Sequence, residues 1–570
     1  MALEQRALST KSARLVAVCP HCKERIQSTE ERKVGKGLII VKINPCGHSD
    51  IKRVKDFDSI FENFESDIEV NGRKLKPYDF QIEGCKFIQE KSLRGAILDE
   101  MTLGKTVQAC MLMQANKDEC GPFLVVCKSS LKDQWWREIS TWTDLNAQIV
   151  EKSTHPLIPV FDVFIVSVDM LSERKIRRTK NNRHKVRPGE TRQPKWVKNC
   201  PAKTVIIDEC QSIKNSDSKR TKALRDLVNF NNIQHIIPMS GTPVENHAGE
   251  IYVIGNLCRP DIFWNETQIA EKYFTFDQSG KPAGIKKHMV KEWKKLIDSF
   301  AIRRRRDDVL PNLPKIRRSF SFFKLSEAVE DSYMKTFGDF EKAYDKRNGI
   351  SKGSKAYANA TGNLLAYMQR MRHLTGISKV ENILEKTCDH LDQIGKKIVL
   401  FVDHQDVGLL LLKNLQLQCA KRGLNPPLAY KGGMTDKDRE EVLRKFREED
   451  YLILIASTRA LAEGHNLQFC EYAKICERQW NPKREEQAEM RFPRPGSVAQ
   501  SIEIDYIMAQ GTIDELMGNL AERKRARADS AVDGKITEVN ETAYMKELMD
   551  ILRKEGRSMW TARGSAGRLI

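Results

Sequence analysis

The apolar run Gly95-Ala96-Ile97-Leu98 leads directly into Asp99-Glu100-Met101-Thr102-Leu103-Gly104-Lys105-Thr106. A short buried strand, a loop ending in Gly-Lys-Thr and a following helix leave few folds open. The backbone N–H groups of such a loop and the first turn of its helix can receive phosphate oxygens. A second string, Asp208-Glu209-Cys210-Gln211, follows the apolar run Val205-Ile206-Ile207. A triphosphate needs an ammonium near its outer phosphates, with a hydroxyl and a carboxylate on Mg²⁺. Lys105, Thr106 and Asp208 supply those groups, with Leu103 and Gly104 in the loop itself. The chain is therefore expected to hydrolyse a nucleotide.

The same architecture recurs along the chain. Phe123-Leu124-Val125-Val126-Cys127 and Phe164-Ile165-Val166 are short and rich in β-branched residues. So are Lys397-Ile398-Val399-Leu400-Phe401-Val402, Leu452-Ile453-Leu454-Ile455-Ala456 and Ile502-Glu503-Ile504-Asp505-Tyr506. Amphipathic helical stretches separate them, which predicts parallel sheets flanked by helices and chemistry at the carboxyl ends of the strands. At 570 residues one core is too small. The expected division is an N-terminal segment at 1–68, an ATP-binding lobe at 69–305 and an inter-lobe, helical segment at 306–390. A second lobe at 391–522 and a basic helical tail at 523–570 complete it.

Lys and Arg number 96 against 77 Asp and Glu, a net charge of +19, and the surplus is clustered. Such a balance points to a polyanion, most simply nucleic acid. No apolar run approaches a membrane span, and the first residues lack the apolar stretch of a secretory signal. Fourteen Cys in such a chain read as reduced thiols, so an intracellular protein is expected. The compartment would be cytoplasm or nucleoid in a bacterial or viral setting, and nucleus in a eukaryotic one.

Further strings fall in a telling order. Leu75-Lys76-Pro77-Tyr78 and Gln81-Ile82-Glu83-Gly84 precede the phosphate loop, and Gln81 could read an adenine edge with its amide. Lys128 to Trp135, Ser240-Gly241-Thr242-Pro243-Val244-Glu245-Asn246 and Ile302-Arg303-Arg304 follow. Then come Ser457-Thr458-Arg459-Ala460, Gly464-His465-Asn466-Leu467, Trp480-Asn481-Pro482 and Gln487-Ala488-Glu489-Met490-Arg491-Phe492-Pro493-Arg494. This order, over roughly residues 70–520, resembles the SWI/SNF ATPase family within the superfamily-two helicase-like motors.

The resemblance implies two RecA-like lobes, ATP and Mg²⁺ between them, and double-stranded DNA across both. It assigns phosphate binding to Lys105, metal binding to Thr106 and Asp208, activation of the attacking water to Glu209 and adenine recognition to Gln81. Arg491 and Arg494 become arginine fingers from the second lobe, the alternative being structural pairing with Glu485, Glu486 or Glu489. Ser240, Thr242 and Asn246, with Ser457, Thr458, Gly464, Asn466 and Gln487, would couple nucleotide to DNA. The implied activity is DNA translocation that remodels or displaces bound partners. The alternatives are a strand-separating or annealing helicase and a DNA-binding module with a vestigial site. Several positions depart from the pattern. Thr102 stands where the family has Gly, at a cost if φ there is positive. Ser497 replaces Gln, Pro493 and Pro495 flank Arg494, and Leu461 and Ala462 replace small residues.

One constellation precedes the motor, and a second interrupts its first lobe. Cys19-Pro20-His21-Cys22 and Pro45-Cys46-Gly47-His48 flank the β-rich piece Leu38 to Ile43. Cys19, Cys22, Cys46 and His48 can converge on a tetrahedral structural Zn²⁺, with His21 as an alternative ligand. Such a ribbon would dock onto DNA or a protein partner. The insertion around Arg174, Lys175, Arg177, Arg178 and Lys180 has the charge to track phosphates without reading sequence. A solvated loop or an import signal would have the same composition.

Overall fold

The computed structural model describes residues 28–35, 38–44, 49–53, 55–67, 69–70, 73–172, 174–175, 191–192, 194–243, 248–276, 282–351, 354–461, 466–480, 482–494, 497, 499–531 and 541–562. The N-terminal sheet has three antiparallel strands, β1 (Ser28–Gly35), β2 (Leu38–Asn44) and β3 (Ser49–Arg53). Its register sets Ser28 opposite Asn44 and Lys42 opposite Ser49.

The first lobe holds β4 (Ala96–Ile97), β5 (Phe123–Cys127), β6 (Ala147–Ile149), β7 (Val163–Ser167), β8 (Thr204–Ile207), β9 (His235–Pro238) and β10 (Ala301–Ile302). Five of them form a parallel sheet in the order β9-β8-β5-β7-β6. The parallel pair β4–β10 extends it through bridges from Arg94 to Ile236 and from Ile97 to Met239. Every residue of β5, β7 and β8 is buried, because helices cover both faces. Three helices matter for the site: α1 (Asp79–Glu90), α2 (Lys105–Ala115) and α3 (Lys132–Trp142). The short helix Phe57–Glu62 also joins this lobe, with Phe61 fully buried in its core. Residues 55–64 thus pack with the first lobe, inside the segment expected to stand apart. Burial of that one aromatic side chain, about 2–3 kcal/mol, ties the helix to the first lobe.

The second lobe is one six-stranded parallel sheet of β11 (Lys315–Phe323), β12 (Ile398–Val402), β13 (Leu428–Tyr430), β14 (Ile453–Ser457), β15 (Tyr472–Ile475) and β16 (Ser501–Ala509). Their order is β11-β16-β15-β12-β14-β13. Edge strand β11 lies within the stretch expected to be inter-lobe and helical. Its partner β16 is remote in sequence, and its own pattern is mostly exposed, so local periodicity does not reveal it. Helices α4 (Glu327–Asn348) and α5 (Lys355–Ser378) form a subdomain. They share a core with α8 (Ile513–Ala531) and α9 (Glu541–Ala562), built on Phe337, Phe340, Met368, Leu520, Leu548 and Leu552. Helices α6 (Asp436–Glu448) and α7 (Pro482–Glu489) lie on the second lobe. Among the described residues no helix is long and apolar enough to cross a membrane.

Candidate nucleotide site between the lobes

The phosphate loop runs from the end of β4 to the start of α2. Gly104 caps α2 with φ +66°, and a Cβ there would come within 2.2 Å of Gln81 Nε2. Only glycine suits both the conformation and the space. Thr102 adopts φ +77°, so the left-handed geometry considered at this departure from the family pattern is present, with the strain it entails. Lys105 opens α2, and its Nζ donates to the carbonyls of Asp99 and Glu100 at 2.9 and 3.0 Å. Burial pushes its pKa down, against the opposing charges of Glu209, Asp99 and Asp208. Thr106 follows in the first turn.

Asp99 is fully buried and is held by Arg304 and by Gln108 Nε2 at 2.9 Å. Arg304 stacks over the Phe80 ring at 5.3 Å. Both residues lie within longer motif strings, and nothing in the local sequence gives either one a role. An acidic residue at the end of an apolar run was the available signal for Asp99.

Asp208 and Glu209 follow β8. Glu209 has φ +49°, a strained conformation for a residue with a side chain. Its carboxylate accepts from Gln211 Nε2 at 2.5 Å. Gln211 Oε1 in turn accepts from Ser240 Oγ at 2.6 Å, and Ser240 Oγ accepts from Thr242 N at 2.9 Å. One chain of hydrogen bonds therefore joins the Asp-Glu string to the Ser-Gly-Thr string. A Cβ on Gly241 would fall 2.8 Å from Met101 Cγ and 3.3 Å from Lys105 Nζ, so glycine lets this string approach the phosphate loop.

Burial and the neighbouring Glu209 push Asp208 up to about 6, opposed by a hydrogen bond from Trp135 and by Lys105. Two adjacent acids in a desolvated pocket fit a divalent cation, which would relieve both effects. Thr242 Oγ1 is buried without a hydrogen-bond partner among the described residues, a further polar atom available to a ligand. The donor set is thus of the right chemistry for ATP with Mg²⁺.

The lobes meet at this cleft. Arg137 on α3 bonds Glu440 on α6 at 3.0 Å, and Arg306 Nη1 contacts Met490 Sδ at 2.8 Å. Arg494 lies near enough to Lys105 that its charge lowers the lysine pKa. Burial, then Arg491, pushes Arg494 itself down to about 9, against the favourable charge of Glu138 on α3. Of the acids considered as structural partners for the fingers, Glu485 is clamped by Arg478 at 3.0 and 2.9 Å. Glu489 is clamped by Arg318 at 3.0 and 2.6 Å and also accepts from the Tyr506 hydroxyl.

The remaining expected residues divide. Gln81 is 4% exposed, and both ends of its amide are engaged within the chain. Its Oε1 accepts from Tyr78 N at 2.9 Å and its Nε2 donates to Leu103 O at 3.1 Å, tying the start of α1 to the phosphate loop. These two bonds leave one acceptor and one donor position of a buried amide for adenine. Thr458 is buried and donates to Val402 O at 3.3 Å, next to Ser457 at the end of β14. Asn466 is exposed and Gln487 half-buried on α7. Asn246 and Gly464 lie outside the described residues, as do all four expected zinc ligands, Cys19, Cys22, Cys46 and His48. Among the described residues no group of three or more His, Cys, Asp and Glu side chains is arranged to hold a metal ion, so the two acids of the cleft stand as a pair, and the described cysteines are free thiols.

Comparison with known proteins matches residues 80–392 to the SNF2-related domain and residues 378–496 to the helicase conserved C-terminal domain. The SWI/SNF-related matrix-associated actin-dependent regulator of chromatin subfamily A-like protein 1 homolog of Caenorhabditis elegans is 26% identical over 464 residues. That match covers 79% of this chain and 61% of the relative. The DNA annealing helicase and endonuclease ZRANB3 of Bos taurus is 26% identical, covering 84% of this chain and 42% of the relative. The uncharacterized ATP-dependent helicase MG018 of Mycoplasma genitalium is 24% identical, covering 78% and 41%. The chain therefore spans about half the length of the curated relatives it matches.

Proposed function

The chain belongs to the SNF2-related family, and on that premise we propose that it is an ATP-driven translocase on double-stranded DNA that remodels or displaces what is bound there. The observation that supports the reading most is at Lys105, which feels the charges of Asp208 and Glu209 from its own lobe and of Arg494 from the other. Thr106 and Asp208 would hold Mg²⁺. When bound, the cation neutralises phosphate oxygens and stabilises the leaving group. Lys105 would leave the carbonyls of Asp99 and Glu100 for the outer phosphates. Glu209 would orient and deprotonate the attacking water. Arg494, with Arg491 beside it, would stabilise charge that develops in the transition state. Because the fingers come from the second lobe, hydrolysis depends on closure, and each turnover becomes a relative movement of the lobes. The hydrogen-bond chain from Glu209 through Gln211 and Ser240 to Thr242 would carry the nucleotide state toward DNA. Asn246, Ser457, Thr458, Gly464, Asn466 and Gln487 complete that path in this reading. Adenine recognition by Gln81 would use the second acceptor and donor positions of its amide and would require the adenine edge to reach a buried side chain.

The net charge of +19 supports duplex DNA as the partner, bound without strong sequence preference in an intracellular compartment. Zinc is part of the proposal as well. Ser28, Asn44 and Ser49 are the described residues nearest in sequence to the Cys19/Cys22 and Cys46/His48 pairs, and the register gathers the three at one end of the N-terminal sheet. Ligation there by Cys19, Cys22, Cys46 and His48 would staple a sheet too small to hold itself, and would offer a docking surface for DNA or a protein. A second activity, strand annealing or separation, is favoured by one observation, the similarity to the DNA annealing helicase and endonuclease ZRANB3 of Bos taurus.

The test is ATP hydrolysis without nucleic acid and with single strands, duplex, forks and RNA, beside triplex displacement and fork unwinding. Lys105→Ala should abolish stimulated hydrolysis. Glu209→Gln should abolish it while retaining ATP binding. Near-normal turnover by either variant would sink the site assignment.

A further inference from the structure

The two adjacent tryptophans of α3 have different fates. Trp136 is 45% exposed, whereas Trp135 is 2% exposed and packs in the lobe-one core with Ile139 and Val125. Apolar packing accounts for the ring of Trp135 but not for its N–H. That group donates to Asp208 Oδ2 at 2.9 Å. The other carboxylate oxygen, Oδ1, accepts from Glu209 N at 2.9 Å. Both oxygens are thus oriented by neutral donors, which fix the carboxylate plane without bringing a competing positive charge. An indole nitrogen is donor only, so the direction of this bond is settled. A phenylalanine would fill most of the same space without leaving a buried N–H that needs a partner.

The same helix reaches the other lobe. Two residues beyond Trp135, Arg137 bonds Glu440. Its neighbour Glu138 accepts from Trp142 Nε1 at 3.2 Å. Helix α3 therefore touches the metal carboxylate at one side chain and the second lobe at another, within a single turn.

We propose that Trp135 is a positioning residue that orients Asp208 for its divalent cation, and that α3 conveys contact with the second lobe to that carboxylate through Arg137 and Glu440. This rests on the reading of Asp208 as the Mg²⁺ carboxylate. Outer hydrogen bonds to a metal ligand fix its geometry, and their loss costs roughly tenfold or more in metal affinity.

The test uses the full chain and a fluorescent, non-hydrolysable ATP analogue, whose binding is followed through a Mg²⁺ titration and in the presence of a chelator. Trp135→Phe should raise the Mg²⁺ concentration for half-maximal binding about tenfold, while affinity without Mg²⁺ stays within about twofold. Replacing Trp135 by β-(3-benzothienyl)alanine, in which sulfur stands for the N–H at nearly constant volume, should give the same shift and guards against misfolding of the phenylalanine variant. Glu440→Ala should shift the Mg²⁺ requirement in the same direction by less. In the Trp135→Phe background it should add nothing, because the two changes act through one carboxylate. If the wild-type protein requires Mg²⁺ for tight binding and both replacements at 135 keep the wild-type requirement, Trp135 only fills space and the inference fails. A Glu440→Ala effect that adds fully to Trp135→Phe overturns the role of the helix. If wild-type binding ignores Mg²⁺ altogether, the reading of the site itself falls, and this inference with it.

Discussion

Arg304 and Asp99 form a planar clamp at the root of the phosphate loop, with Nε to Oδ1 at 3.0 Å and Nη2 to Oδ2 at 2.5 Å. Arg304 N adds a third bond to Oδ1 at 3.1 Å. Asp99 follows β4 and Arg304 follows β10, its parallel neighbour, so the clamp locks the end of the first lobe to the start of the loop.

The clamp predicts a large loss on truncation. Arg304→Ala would leave Asp99 buried and charged with only Gln108 and a backbone N–H as partners. Stability of the first lobe should fall by about 3 kcal/mol or more in urea unfolding. Arg304→Lys should recover part of this, because an ammonium cannot make both parallel bonds. An unchanged unfolding midpoint in Arg304→Ala would show that the clamp contributes little.

The fingers should act on turnover and not on binding. Arg494→Ala should lower DNA-stimulated hydrolysis by about 10³-fold or more, with ATP affinity within a few-fold. Arg494→Lys should not restore the rate. Arg491→Ala belongs in the same series, since Arg491 is close enough for its charge to act on Arg494. Intact stimulated rates in both alanine variants would remove the inter-lobe site from consideration.

Thr102→Gly should stabilise the protein. A residue with a side chain at φ +77° carries a strain of about 1–2 kcal/mol, partly offset by the greater chain entropy of glycine when unfolded. The net gain should be about 1 kcal/mol, read as a higher thermal midpoint. A lower midpoint would mean that contacts of the threonine outweigh its strain.

Freshly purified protein should carry one Zn²⁺ by elemental analysis, lost when Cys19 and Cys46 are both replaced by Ser. Hydrolysis in the cleft should persist in that variant. Wild type free of zinc would refute the ribbon.

The basic insertion should bind phosphates without reading bases. Replacing Arg177, Arg178 and Lys180 by Gln should weaken duplex binding equally across sequences. The slope of log affinity against log salt should become shallower, by up to about 0.9 for each lost phosphate contact. An unchanged slope would assign the insertion to solvent or to import.

The amino-acid sequence by itself determined the local chemistry and its order. A phosphate loop is a contiguous strand–turn–helix, so Gly104, Lys105 and Thr106 are legible in one string. Asp208 and Glu209 are legible because a fully buried strand must end where they begin. The buried runs at Phe123–Cys127 and Ile398–Val402 announce parallel sheets, since only helices on both faces permit continuous apolar strands. Tertiary structure alone decided which remote groups meet. Trp135 and Asp208, Arg304 and Asp99, and Arg137 and Glu440 pair across long stretches of chain, and no periodicity encodes such pairs. The same holds for β11, an exposed strand defined by its partner β16. It also holds for Gln81, whose engaged amide depends on how closely Gly104 lets α1 and the phosphate loop approach. A residue type limits what a side chain can donate or accept, but burial and proximity decide which of those bonds it makes.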